Sequence, residues 1–179
     1  LYEAGAKILC IDVAHGHHKM METALKKLKD AFGNSIHLMA GNVATEKSFY
    51  YLSDWGADSI RVGIGGGSIC STRIQTGHGV PTLQSVIDCA RAAKDMNVKL
   101  IADGGIKNSG DMVKALAAGA DFVMAGSLLA GTAESPGDVI NTPQGRYKAY
   151  RGMASKEAQR AWKGKVSSRE GISTHIPYK

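Results

Sequence analysis

Long apolar runs are absent from this chain: nowhere do roughly 18 consecutive apolar residues occur, which excludes a membrane-spanning helix. Cysteine is scarce, and Cys10, Cys70 and Cys89 are odd in number with no CxxC spacing. That argues against a disulfide framework and a structural zinc site, and for a reducing, cytoplasmic setting. No secretory n-region and h-region pattern is present, and the text starts at Leu1 in mid-pattern. No HExxH or carboxylate spacing accompanies His15, His17 and His18, so these histidines read as a turn rather than a zinc site, and His78 as a loop contact. Low-complexity stretches are few, and 44% hydrophobic content over 179 residues suits one globular domain.

Charge is unevenly placed. Residues 144–179 hold nine Lys/Arg against two Glu, whereas residues 1–143 hold thirteen against fourteen acids, so the formal +6 sits in the tail. Such a tail reads as a solvated basic surface or an attraction for a phosphorylated small molecule, with neither nucleic acid nor membrane expected as a partner.

Apolar segments bounded by glycine recur at 7–13, 36–42, 59–65, 98–105 and 121–127. They are near-continuous rather than alternating, which predicts parallel strands buried on both faces. Helix-period segments lie between them: Met21, Leu25, Leu28 and Phe32 share one face, and 80–96 and 109–119 follow the same spacing. Pro81 and Ser109-Gly110-Asp111 suit helix starts. Gly5-Ala6-Lys7, Gly56-Ala57-Asp58 and Gly119-Ala120-Asp121 each announce a strand after a helix-ending glycine. The strands end in Asp12, Asn42, Gly63 to Gly67, Asp103 to Gly105 and Gly126-Ser127, so one rim collects polar groups from all of them, as in a TIM (β/α)8 barrel rather than a doubly wound sheet. Five strands cannot close such a barrel, and roughly three more are expected upstream.

Residues 63–79, GIGGGSICSTRIQTGHG, combine a backbone able to approach a ligand closely with a loop thiol beside Thr72 and Arg73. Gly-rich ends at 102–105 and 125–127 strengthen the reading of a phosphate site. Cys10 and Cys89 lie in apolar text and read as packing residues. Asp12 alone could cap a helix and Asn42 could serve a turn.

Taken together, IDVAHGH, AGNVAT, GIGGGSICSTRIQTGHGVP, ADGGI, GDMVKALAAGADFVMAGSLLAGTAESPGD and YRGMAS resemble the family of inosine monophosphate dehydrogenases and guanosine monophosphate reductases, over nearly the whole chain. The resemblance implies a phosphate-binding TIM barrel, of which residues 1–179 would be the C-terminal part: strands four to eight and the tail. It implies Cys70 as the nucleophile at purine C2, with Thr72 and Glu170 as its catalytic partners. Ser68, Gly105, Gly126, Ser127 and Tyr150 would hold the 5′-phosphate of GMP or IMP, Asp103 the ribose, and Gly152, Met153, Ala154 and Glu170 the base. Asp12, Asn42, Arg61 and Gly63 would meet the nicotinamide cofactor, and the carbonyls of Gly65, Gly67 and Cys70 a potassium ion. A homotetramer is implied as well.

The dehydrogenases of this family use an Arg-Tyr pair on a long flap to activate water, whereas here only KEAQRAWKGKVSSR separates YRGMAS from Glu170-Gly171, and it has no such pair. This favours an NADPH-dependent GMP reductase. An NAD-dependent IMP dehydrogenase with a shortened flap is the alternative, supported by Arg151 and the text GSICSTR. A non-catalytic purine-nucleotide-binding barrel is the third reading.

Overall fold

The computed structural model describes residues 1–167 and 171–179. Its larger layer is a parallel sheet in sequential order, built from β1 (Ile8–Asp12), β2 (His37–Val43), β3 (Ser59–Val62), β4 (Lys99–Asp103) and β5 (Phe122–Met124). The crossovers are α1 (Lys19–Phe32), α2 (Glu46–Asp54), the pair α3 (Thr72–Thr76) and α4 (Thr82–Met96), and α5 (Ser109–Ala117). Right-handed crossovers between sequential strands place α1, α2, α4 and α5 on one side of the sheet. Leu25, Phe49, Leu52, Val86 and Cys89 from the helices accordingly pack on Leu38, Ala40, Ile60, Val62, Leu100 and Ala102 of the strands.

The strands are covered by helices on one face. Alternate residues point to opposite faces, and the face turned away from the helices carries Ile8, Cys10 and Asp12, all exposed. At the two outer strands Ile8 is 62% and Phe122 58% exposed. β1 sends Leu9 and Ile11 toward the helices and Cys10 to the opposite face. Cys89 is buried as expected, and burial pushes its thiol pKa up to about 12.

The glycine-announced strand starts share one construction. Gly5, Gly56 and Gly119 adopt φ of 91°, 101° and 109°. After the second and third glycines, Ala57 and Ala120 donate to the carbonyls of Leu52 and Ala115, each at 3.1 Å. Asp58 and Asp121 then grip the neighbouring strand twice. Each donates its backbone N–H to the carbonyl of Leu38 or Leu100, and each carboxylate accepts the N–H of the same residue, at 2.7 and 2.9 Å. Lys29 and Lys99 complete the two clips as ion-pair partners. After Gly5 a lysine stands in place of the aspartate, and only its carbonyl serves, accepting from His37.

Beyond the sheet, α6 (Ser127–Ala130) leads into a small antiparallel sheet of β6 (Val139–Thr142), β7 (Gly145–Arg151) and β8 (Ser173–Pro177), with α7 (Lys156–Lys163) between the last two in the chain. Buried Lys148 on β7 donates to the carbonyls of Thr132, Ala133 and Ser135, tying the segment after α6 to this sheet. Ser155 caps α7 by accepting from the Ala158 N–H, and Gly164 ends it at φ 70°. Among the described residues no helix is long and apolar enough to cross a membrane.

Candidate active site

The open face of the parallel sheet ends in a charged network centred on Arg61. Asp12, Gly41 and Arg61 are in register across β1, β2 and β3. Neighbouring strands lie roughly 4.8 Å apart, so Arg61 must cross the whole width of β2 to meet Asp12. It does, with Nη1 2.8 Å from Asp12 Oδ1. Glycine at position 41 makes this possible, since a Cβ there would lie 2.7 Å from Arg61 Cβ and 2.9 Å from its carbonyl. On the other side Arg61 reaches Asp103 through Nη2 at 2.8 Å and Nε at 3.2 Å, and Nη1 also donates to Cys10 Sγ at 3.4 Å. Burial alone would lower the Arg61 pKa, but Asp103 first, then Asp12 and Cys10, outweigh it and raise the value above the ordinary one.

Asn42 joins this network because the β2–β3 register shifts between Gly41 and Val43 and leaves it outside the ladder. Its amide donates to the Gly63 carbonyl and to Asp103 Oδ2, both at 2.8 Å. Its Oδ1 is buried and has no hydrogen-bond partner among the described residues. Such an acceptor is costly to leave unmade and suits an incoming N–H or O–H donor. Gly63 is required at its place: with φ 140°, a Cβ would fall 2.0 Å from the Asp103 carbonyl.

Past Gly63 the loop packs backbone to backbone on the next glycine loop, Gly104 lying against Gly66 and Gly67. Part of the glycine content is thus explained by contact between two loops rather than by a ligand. The loop then exposes Cys70, whose Sγ donates to Thr72 Oγ1 at 3.3 Å, while its N–H donates to the Gly67 carbonyl at 3.1 Å. Ser71, between the two, accepts the Gly171 N–H at 2.9 Å, and Gly152 donates to the Ile172 carbonyl at 3.0 Å. The first bond ties the C-terminal segment to the thiol loop, and the second joins two parts of that segment. Glu170 lies outside the described residues.

Asp12, Asn42, Arg61, Gly63, Gly65, Cys70, Thr72, Asp103, Met153 and Ala154 all line one cleft of about 650 Å³. Ser68, Gly126 and Tyr150 meet beside it: Tyr150 OH is 3.4 Å from Ser68 Oγ and 3.1 Å from where a Gly126 Cβ would stand. Ser127 follows as the first residue of α6, and Gly105 sits against the Gly66 carbonyl. The polar strand ends therefore gather at one rim, as their positions in the sequence predicted.

Sequence reasoning overlooked Gly41, Ser71, Gln159, Trp162 and Lys163. The last three lie on α7 and line the same cleft. Gln159 is buried, donating to the Ala154 carbonyl at 2.8 Å and accepting the Ser167 N–H at 2.7 Å. The signals for α7 were a capping serine at 155, Glu157 in the first turn, basic residues in the last turn and Gly164 after it. The histidine cluster has local roles: His18 caps α1, His15 accepts the His17 N–H, and His17 stacks on Tyr51 at 4.6 Å. Burial, with His17 and His18 nearby, lowers the His15 pKa. His78 contacts Thr76 within its own loop. Among the described residues no group of three or more His, Cys, Asp or Glu is arranged to hold a metal ion.

Comparison with known proteins agrees with this geometry. The profile of the IMP dehydrogenase / GMP reductase domain matches residues 1–179. Inosine-5′-monophosphate dehydrogenase from Rhizobium tropici is 47% identical over 190 residues, covering 100% of this chain and 38% of the relative. GMP reductase from Leishmania major is 50% identical over 155 residues, covering 86% of this chain and 32% of the relative. A cysteine-to-alanine variant of GMP reductase from Trypanosoma brucei, solved in complex with guanosine 5′-monophosphate, matches with a TM-score of 0.94 at 42% identity, covering 100% of this chain and 38% of that one. The chain thus spans well under half the length of these relatives. A parallel β/α sheet with its helices on one side, a cysteine loop at its polar rim and a match along every residue together place the chain in the IMP dehydrogenase / GMP reductase family.

Proposed function

We propose that the protein is a GMP reductase, converting GMP to IMP and ammonia with NADPH through a covalent Cys70–purine adduct. The observation that carries this reading is the short interval after YRGMAS: residues 156–169 contain no Arg-Tyr pair, and α7, which takes up 156–163 of it, lines the cleft. A dehydrogenase must hydrolyse its adduct and needs a base for water; a reductase does not.

In this reading the Cys70 thiolate forms a bond to purine C2 while Thr72, 3.3 Å away, relays protons to the amine as the C2–N bond breaks and ammonia leaves. Glu170 would complete the relay; its chain neighbour Gly171 is tied to Ser71 at 2.9 Å. Breaking the sulfur–carbon bond then returns the thiolate and releases IMP. The nicotinamide, when bound, supplies the hydride that C2 takes up. Asn42, with its unpartnered buried Oδ1, and Asp12, Arg61 and Gly63 around it would hold that cofactor. Ser68, Gly105, Gly126, Ser127 and Tyr150 would take the 5′-phosphate, Asp103 the ribose, and Gly152, Met153 and Ala154 the base. The carbonyl oxygens of Gly65, Gly67 and Cys70 are donors of the kind a potassium ion takes. Residues 1–179 would form strands four to eight of a TIM barrel in a cytoplasmic homotetramer.

The second reading, an IMP dehydrogenase with a shortened flap, draws on Arg151 preceding Gly152-Met153 and on the Rhizobium tropici relative. Absorbance at 340 nm separates the readings. The full-length protein at roughly micromolar concentration, ample for turnover of about 1–10³ s⁻¹, is mixed with GMP and NADPH, or with IMP and NAD. NADPH loss with equimolar ammonia is the expected result; NADH formation from IMP would establish the alternative, and nucleotide binding without turnover a non-catalytic barrel.

A further inference from the structure

We propose that Lys163, laid across the Trp162 ring, is the cation that holds a phosphate of the dinucleotide in the cleft. This rests on the reading of the cleft as the meeting place of a purine nucleotide and a nicotinamide dinucleotide. Arg61 and Lys163 are the cations among the described residues lining it. Arg61 is already engaged by Asp12 and Asp103 at 2.8 Å each, so the floor of the cleft carries a net negative charge that repels phosphate. Lys163 has no carboxylate partner among the described residues. Its Nζ lies 4.4 Å from the Trp162 ring centroid and 3.3 Å from Ser167 Oγ. Among the described residues that line the cleft, Lys163 is therefore the cation left for an anionic ligand.

Two features prepare it for that role. It stands in the last turn of α7, where the carbonyl end of a helix favours a cation. The indole beneath it, 64% exposed, narrows the directions that a four-carbon stem would otherwise sample. The phosphate concerned is not that of the purine monophosphate, because Ser68, Gly126 and Tyr150 meet outside the residues that line this cleft. Trp162 is a positioning residue that acts through Lys163.

Isothermal titration of the full-length protein with NADPH and with NADH tests the proposal. Lys163→Met keeps the stem and removes the charge. It should weaken NADPH binding about tenfold, the order expected for one charge-assisted hydrogen bond at a wet lip, and leave GMP affinity and thermal midpoint unchanged. Loss for NADPH alone assigns Lys163 to the 2′-phosphate; equal loss for NADH assigns it to the pyrophosphate. Lys163→Arg should restore most of the affinity. Trp162→Leu should weaken NADPH binding about threefold, a fraction of the Lys163→Met effect, and Trp162→Phe should recover it. Unchanged dinucleotide affinity in Lys163→Met, or an equal loss of GMP affinity, would overturn the proposal. If the wild type proves to oxidise IMP with NAD, the functional reading fails while the same variant titrated with NAD still decides the role of Lys163.

Discussion

The two rims of the parallel sheet use the same residue types to opposite ends. At the rim where strands begin, Asp58 and Asp121 each meet one backbone N–H and one lysine, and each local charge is closed on itself. At the rim where strands end, Arg61 is shared between Asp12 and Asp103, Asn42 keeps a buried acceptor without a partner among the described residues, and Cys70 stands exposed. A closed set of partners contributes stability and has nothing left to offer a ligand. An unclosed one is poised for a ligand at some cost in stability. The difference lies not in composition but in which hydrogen-bonding positions the fold leaves open.

Breaking the contrast should begin at Cys70. Cys70→Ala should lower kcat by roughly 10³ or more while the thermal midpoint stays put, because the side chain is exposed and packs on nothing in the core. Arg61→Met comes next. It strands the largely buried carboxylate of Asp103, while half-exposed Asp12 stays hydrated, and urea unfolding should show a loss of about 1–3 kcal/mol alongside lost dinucleotide binding. Gly41→Ala tests the path of Arg61 over β2. A methyl group 2.7 Å from Arg61 Cβ should cost about 1–3 kcal/mol in the same unfolding experiment and pull Arg61 from Asp12.

The smallest effect belongs to the other rim, where Asp121→Ala should lower the thermal midpoint by a few degrees and leave kcat alone. Burial alone would raise the Asp121 pKa, but the Leu100 N–H and Lys99 outweigh it and hold the value below the ordinary aspartate range. A depressed carboxylate contributes stability above its unfolded pKa, about 3.9, and loses it as pH falls through the folded value. The midpoint difference between wild type and Asp121→Ala should therefore be full at pH 6 and close below about pH 4.

Much of this contrast was legible in the residues themselves. Glycine-bounded apolar runs marked all five parallel strands, and the repeated Gly-Ala text marked the start of three of them, though not the carboxylate clips that Asp58 and Asp121 form. The polar residues at strand ends pointed to one rim. The contact of Cys10 with Arg61 was hidden because every residue from Ile8 to Ile11 is apolar or thiol, so the alternation of the two faces leaves no polar trace. Lys148 was illegible for a different reason: its partners are main-chain carbonyls, which no side-chain pattern announces. The Arg61 network needed register, since Asp12, Gly41 and Arg61 are distant in the chain and adjacent only once β1, β2 and β3 pair. α7 had its caps written in Ser155 and Gly164, but its polar, basic text hides the side that faces the cleft.

The central claim is that the open rim carries out covalent chemistry at Cys70, and rapid quenching of the full-length protein with labelled GMP tests it most directly. Peptide mapping should place the label on the fragment containing Cys70, and a chase with NADPH should release it as IMP. Undiminished NADPH oxidation by Cys70→Ala, or label on a different fragment, would contradict the account.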